Sequence, residues 1–470
     1  MLHLICVKAN ACRYGDITGM DTESQFARLG LFDARVPRYT SYPTAPHFGA
    51  SVDPARFEGW LSEIPAGSTI SLYLHVPFCR RLCWFCACRT QGTSSDAPVR
   101  AYVETLKAEL GLLRSRLAPG VRLSRLHWGG GTPTLLAPDM IRDLADTVFE
   151  TVPLDDAGEF SVEIDPNEID GPRLDALAAA GMTRASIGVQ DFDPMIQKCI
   201  GREQSYEETK AAADAIRERG VESLNADILY GLPHQTQERI VQSVQKLLTL
   251  NPDRVALYGY AHVPWMSRRQ QLIPSDAIPS PEERLKLFDT ARRLFVWDGY
   301  EEIGIDHFAR PEDGLARARR GGVLRRNFQG YTDDQAPVLV GLGASSISRF
   351  PQGYAQNAPG TADYTRAVRE GRFATVRGHV FGGEDLLRAR IIEALMCDFR
   401  VSRGELLERF AVSEARLDEM FAVATGRFPG MTVPGPEGLA IPPRARPLTR
   451  MIARAFDAYD LSKAGHSSAV

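Results

Sequence analysis

The sequence predicts an α/β protein: a partial (β/α)6 barrel of the TIM type, with an extended N-terminal segment before it and a mainly helical domain after it. Three observations carry that expectation. Between residues 69 and 295, short apolar runs alternate with stretches of helical periodicity six times in order. These units occupy roughly 200 residues, fewer than the ~250 that a closed eight-unit barrel takes. Beyond about residue 330 the alternation stops and helical patterning takes over.

The expected division is therefore 1–53, 54–329 and 330–470. In the first part, residues 36–46 (VPRYTSYPTAP) hold too much proline for a regular helix or a central strand. In the second, strands are expected at 69–75, 123–128, 160–164, 185–189, 223–229 and 254–258. The intervening helices fall at 101–117, 138–148, 171–180, 206–219, 238–250 and 281–295, which implies parallel strands joined by right-handed crossovers. In the third, helices are expected at 384–397, 403–410, 414–421 and 449–461, with a frayed tail over 463–470.

Composition bounds the function. The net charge is −4 and the pI about 6.2, so no global electrostatic case exists for a nucleic-acid partner. No apolar run approaches the ~18 residues of a membrane span. The first eight residues are too short for a signal-peptide core. A cytoplasmic monomer is expected, with Met20 an alternative start.

Eight cysteines occur, and four of them, Cys79, Cys83, Cys86 and Cys88, fall within ten residues directly after the first strand. In barrel enzymes that end of the strands is where sites are built. The Cx3CxxC spacing of Cys79, Cys83 and Cys86 supplies thiolates for three irons of a cubane and leaves the fourth iron open. Two other readings stand beside it: one zinc ion wrapped by all four cysteines, and an electron-carrier cluster with Cys88 as fourth ligand. One β/α unit later comes His127-Trp-Gly-Gly-Gly-Thr-Pro-Thr134. Its glycines let backbone N–H groups approach a ligand without Cβ clashes. Cys6, Cys12, Cys199 and Cys397 match no motif.

The chain resembles the radical S-adenosylmethionine superfamily, and within it the oxygen-independent coproporphyrinogen III oxidases. The likeness runs from about Pro37 to the last helix. RYTSYP at 38–43, the cysteine loop, HWGGGTPT and GVQDF at 188–192 carry it. So do DILYGLP at 227–233, Tyr260-Ala-His262, DHFARP at 306–311 and NFQGY at 327–331. Cys88 and RYTSYP point to this oxidase within the superfamily.

What the resemblance implies is a [4Fe-4S] cluster on Cys79, Cys83 and Cys86 and two molecules of S-adenosylmethionine. Tyr73, Gly130, Glu163, Ala261 and Ile347 match positions around the first of these. Phe85, Gly131, Thr132, Gln190, Arg202 and Asp227 match positions around the second. A reduced cluster would split the sulfonium, and a 5′-deoxyadenosyl radical would take hydrogen from a propionate of coproporphyrinogen III. A one-electron reductant of the flavodoxin type and a terminal electron acceptor of unknown identity are implied as partners. Cys88, His75 and Tyr39 are candidates for electron or proton movement. Arg38 and Arg310 are candidates for the substrate's carboxylates, because guanidinium forks match carboxylate geometry. RYTSYP would then be a lid. A haem-binding chaperone related to this oxidase, and a radical enzyme acting on another tetrapyrrole, are the competing functions.

Overall fold

The computed structural model describes residues 25–460 and 467–470. Cys6, Cys12, Met20 and residues 463–466 of the tail lie outside the described residues.

Six parallel strands form the heart of the molecule: β1 (Thr69–Val76), β2 (Arg122–Gly130), β3 (Leu154–Ile164), β4 (Arg184–Gln190), β5 (Ser223–Tyr230) and β6 (Arg254–Gly259). Their apolar residues are buried on one face of the sheet, where Leu72, Leu74, Leu126, Trp128 and Val162 are all 1% exposed or less, while Tyr73, His127 and Ser161 pair on the other. The crossover helices are α1 (Ala97–Arg114), α2 (Pro138–Thr151), α3 (Gly171–Ala179), α4 (Tyr206–Glu218), α5 (Gln237–Thr249) and α6 (Pro281–Trp297). Four of them start on side-chain caps from Asp170, Ser205, Thr236 and Ser280, which satisfy first-turn N–H groups.

The sheet does not close. It continues through β7 (Glu301–Ile303), β8 (His307–Ala309), β9 (Leu339–Leu342), β10 (Ile347–Phe350), β11 (Gly353–Asn357) and β12 (Thr375–Val380). The full order is β12-β11-β10-β9-β1-β2-β3-β4-β5-β6-β8-β7. Strand alternation thus goes on to residue 380, whereas the sequence reading ended it at 330. The last four strands are short and pair antiparallel with one another, with a single helix (Thr361–Arg369) among them, so they carry no repeated βαβ signature. Beyond them the chain is mainly helical, with α7 (Asp385–Asp398), α8 (Arg403–Arg409), α9 (Glu414–Arg427) and α10 (Thr449–Arg454). These helices share a core with Phe26, Leu31, Val36, Tyr39 and Tyr42 of the N-terminal segment. Among the described residues no helix is long and apolar enough to cross a membrane.

The frayed-tail expectation fails at its end. Ala469 N–H donates to Ala34 O at 2.8 Å, and Arg450 donates to the carbonyls of Ser468 and Ala469. Backbone pairing with the N-terminal segment, invisible in a local pattern, holds these residues.

One buried carboxyl ties the added strands to the barrel. Glu109 on α1 is fully buried and accepts from Gly343 N–H at 2.8 Å, Asn357 at 2.8 Å and Tyr364 at 2.7 Å. Burial pushes its pKa up to about 7, against the pull of those donors. Glu109→Ala strands three buried donors and will cost on the order of 3 kcal/mol, read as a lower midpoint in urea unfolding.

Candidate functional site

The cysteine loop leaves the C-terminal end of β1. Cys79, Cys83 and Cys86 are half-buried on it and Cys88 is exposed. An irregular segment nearly two hundred residues away holds the loop in place. Ser267 donates to Cys86 O at 3.1 Å, Arg269 to Cys88 O at 3.1 Å, and Gln270 to Phe85 O at 2.7 Å. Sequence reasoning missed these three residues, because lone polar side chains in an irregular stretch carry no pattern.

Two of the three thiol sulfurs meet a donor: Arg202 Nη1 lies 3.5 Å from Cys83 Sγ, and Cys88 N–H donates to Cys86 Sγ at 3.4 Å. Donors of this kind support sulfurs carrying negative charge, as in cluster-bound thiolates. Without a metal, burial pushes the Cys79 thiol up to about 11, while the Cys88 thiol's hydrogen bond draws the Cys86 thiol down. Among the described residues no three Cys, His, Asp or Glu side chains converge as one ion would require. Three thiols on one short loop, with donors at the Cys83 and Cys86 sulfurs, fit a cubane held by three corners, with one iron left for another ligand.

Facing the loop is the triple glycine at the end of β2. Gly130 has φ +114°, and Cβ atoms on Gly129, Gly130 and Gly131 would lie within 2.9 Å of Glu163, His75 and the Phe78 backbone respectively. Only glycine permits so close an approach. Gly130 N–H donates to Glu163 Oε2 at 3.0 Å, and His127 Nε2 lies 3.4 Å from Oε1. Burial raises the Glu163 pKa, but these partners outweigh it and hold the carboxyl below its usual range. Tyr73 stacks on His127 with centroids 5.7 Å apart and shares a 2.9 Å hydrogen bond with His75 Nδ1. Burial lowers the His75 pKa, which favours the neutral ring.

The remaining predicted positions fall on the same barrel mouth. Gln190 ends β4 at φ +67°, an unusual conformation for a side-chain-bearing residue. Arg202 donates to both Asp165 oxygens at 3.1 Å. Asp227 on β5 accepts from Asn225 at 2.8 Å, and burial pushes its pKa up to about 7. Phe85 packs against an apolar cluster that includes Ile196, Ile200 and Leu229. Ala261 follows β6, and its carbonyl accepts from Gln270 at 3.0 Å. Ile347 opens β10 against Gly341, which pairs in register with Tyr73. Sequence reasoning did not single out Asp165.

Comparison with known proteins agrees with this geometry. Residues 73–247 match the family model of the radical SAM superfamily. The oxygen-independent coproporphyrinogen III oxidase of Paracoccus denitrificans is 66% identical over 451 residues, covering 96% of this chain and 100% of the relative. The chain belongs to the oxygen-independent coproporphyrinogen III oxidases. The relative from Escherichia coli is 37% identical, covering 91% of this chain and 94% of that protein. The solved Escherichia coli coproporphyrinogen III oxidase, described as a radical SAM enzyme, superposes with a TM-score of 0.86 at 35% identity. That superposition covers 91% of this chain and 100% of the solved one.

Two predicted site residues of this oxidase lie elsewhere. Arg310 stands at the opposite, N-terminal end of the strands. Its backbone N–H donates to Asp253 O just before β6, its side chain bonds Asp298 and Asn251, and it stacks 4.0 Å over Tyr300. Tyr39 is buried in the C-terminal helical core and donates to Asp457 at 3.0 Å. Both misplacements have one cause: a motif's neighbourhood in sequence does not say which end of a strand, or which layer, a side chain faces.

Arg38 does reach a cavity, of about 560 Å³, between the ends of β5 and β6 and the C-terminal helices. Arg284, Arg326 and Arg450 line it too, beside Asp306. Among the described residues, the Nε atoms of Arg284 and Arg326 are buried without a hydrogen-bond partner. Arg450 spends its donors on neutral carbonyls, those of Val36, Pro37, Ser468 and Ala469. Burial and the neighbouring Arg38 draw its guanidinium down to about 9. These four guanidinium groups crowd a space whose lining holds more arginines than carboxylates, the latter being Asp289, Glu302 and Asp306, and that balance favours an anion.

Proposed function

We propose that this chain decarboxylates two propionate side chains of coproporphyrinogen III to vinyl groups without oxygen, giving protoporphyrinogen IX in haem biosynthesis. One observation carries the reading: a three-thiol loop with donors at the Cys83 and Cys86 sulfurs lies at the same ends of the parallel strands as a cavity of arginines. The first feature suits a cluster with an open iron, and the second suits a substrate with four carboxylates.

Cys79, Cys83 and Cys86 would hold the [4Fe-4S] cluster. With S-adenosylmethionine bound at its open iron, that group supplies a 5′-deoxyadenosyl radical able to take a hydrogen atom from a propionate β-carbon. The protein's own work is placement and exclusion of water. Glu163 and Gly130, with Tyr73, Ala261 and Ile347, bind the first S-adenosylmethionine. Phe85, Gly131, Thr132, Gln190, Arg202 and Asp227 bind a second. Arg38, Arg284, Arg326 and Arg450 take substrate carboxylates and fix the propionate to be attacked. A misplacement of ~1 Å would cost on the order of 100-fold in rate, so a rigid arginine frame matters. His75, neutral and tied to Tyr73, is an internal proton acceptor at the same mouth. Cys88, the exposed thiol of the loop, stands where electrons would pass. A flavodoxin-type protein supplies the one-electron reductant, and a separate acceptor takes the electron released with each carbon dioxide.

The reading is tested on reconstituted protein, assayed anaerobically with coproporphyrinogen III, S-adenosylmethionine and a chemical reductant. Product mass should show two carboxyl groups lost. Stoichiometric retention of added haem with no turnover would instead identify a chaperone.

A further inference from the structure

We propose that Asp165 is a positioning residue: it holds Arg202 against the Cys83 sulfur and offsets its charge, and so helps to set the reduction potential of the cluster. The inference rests on the assignment of the cluster to Cys79, Cys83 and Cys86, not on the identity of the substrate.

Asp165 directly follows β3, on the same mouth as Glu163. Its Oδ1 accepts from Asn167 N–H at 3.1 Å, which locks the carboxylate at the head of a short 3-10 turn. From there its two oxygens accept from Arg202 Nη2 and Nη1, each at 3.1 Å, the fork-on-fork geometry of a guanidinium and a carboxylate. The same Nη1 lies 3.5 Å from Cys83 Sγ, and Nη2 also donates to Gly188 O at 3.1 Å. Among the described residues, Arg202 Nε is buried without a hydrogen-bond partner.

The surroundings are shaped around this guanidinium. A Cβ on Gly188 would lie 3.1 Å from Arg202 Nη2. Gly201, immediately before Arg202, has φ +67°, and a Cβ there would fall 2.8 Å from the Trp84 ring of the cysteine loop. The pair is also sheltered, with side chains 11% and 18% exposed. A sheltered ion pair is weak grounds for stability, because desolvation takes back most of the attraction. Its geometry is better explained by what the guanidinium does at the sulfur.

That effect has a definite sign. Reduction adds an electron to the cluster, so a cation beside a ligand sulfur favours the reduced form and raises the potential. The Asp165 carboxylate opposes that cation and also keeps the guanidinium from swinging away.

Two variants give opposite expectations. Asp165→Asn keeps the shape and removes the negative charge, so the midpoint should move positive. Arg202→Gln removes the cation, so the midpoint should move negative. Both are read by potentiometry followed by electron paramagnetic resonance, after iron and sulfide analysis has shown a full cluster. In Asp165→Asn the KM for S-adenosylmethionine should also rise, about tenfold for one loosened charge-assisted contact. Asp165→Glu, which restores the charge, should bring the midpoint back toward the parent value.

A midpoint that does not move in Asp165→Asn, with only a lower melting temperature, would make the pair a structural bridge and overturn the proposal. Shifts of the same sign in both variants would overturn it as well. Because the potential is read without coproporphyrinogen, an absence of turnover in the parent enzyme would defeat the substrate reading alone.

Discussion

Replacing Cys79, Cys83 or Cys86 by alanine, one at a time, will remove the broad visible absorbance of the reconstituted protein and all turnover with it. The three thiols are not interchangeable spares. Each sits on the same half-buried loop, and two of the sulfurs meet separate donors, Arg202 at Cys83 and the Cys88 N–H at Cys86. With one missing, a cubane keeps two protein ligands and exposes two irons, and cluster binding at such a site is lost rather than weakened. Cys88→Ala should behave differently. It removes a thiol but leaves the backbone N–H that meets Cys86, so iron content and absorbance should stay close to the parent. If Cys88→Ala lost its iron as the others do, ligation would be by four thiolates, and no iron would remain open for S-adenosylmethionine.

The second large effect belongs to the arginine cavity. Arg38→Gln and Arg326→Gln should each raise the KM for coproporphyrinogen III by about 10- to 100-fold, the loss expected for one charge-assisted contact to a carboxylate. Cluster content should be unchanged, since neither residue touches the cysteine loop in the contacts it makes. Glutamine keeps part of the side chain's packing, which matters because Arg326 stacks 4.5 Å over Tyr331. Arg310→Gln is the contrast: paired with Asp298 at the far end of the strands, it should leave this KM where it was. An equal rise in all three variants would mean general loss of structure, and the cavity would lose its assignment.

The resemblance and the geometry overlap where chemistry is written in local spacing. Cx3CxxC after a strand and three glycines after the next strand place two halves of a site one β/α unit apart, and parallel topology then brings them together. Register makes this concrete, since His75 pairs with Gly129 and Val76 with Gly130 across β1 and β2. The positions matched around S-adenosylmethionine likewise lie on one mouth, because successive parallel strands end on the same side. The substrate's carboxylate ligands were only partly legible. Arg38 could be named from its motif, whereas Arg284, Arg326 and Arg450 come from α6, from the stretch before β9 and from α10. Nothing in their own neighbourhoods sets them apart from solvated arginines.

By itself the sequence determined what depends on short-range order: six β/α units, an open rather than closed barrel, a loop of three thiols and a glycine edge facing it. Periodicity and spacing are local quantities, and the parallel fold converts them into a site without further information. Only the tertiary structure decided what depends on distant pairings: four more strands of the main sheet past residue 330, a tail held by Arg450, a loop clamped by Ser267, Arg269 and Gln270, and which arginines share a cavity. Such contacts form between segments far apart in sequence, and their energy comes from burial and charge in the assembled molecule, which no single stretch of chain contains.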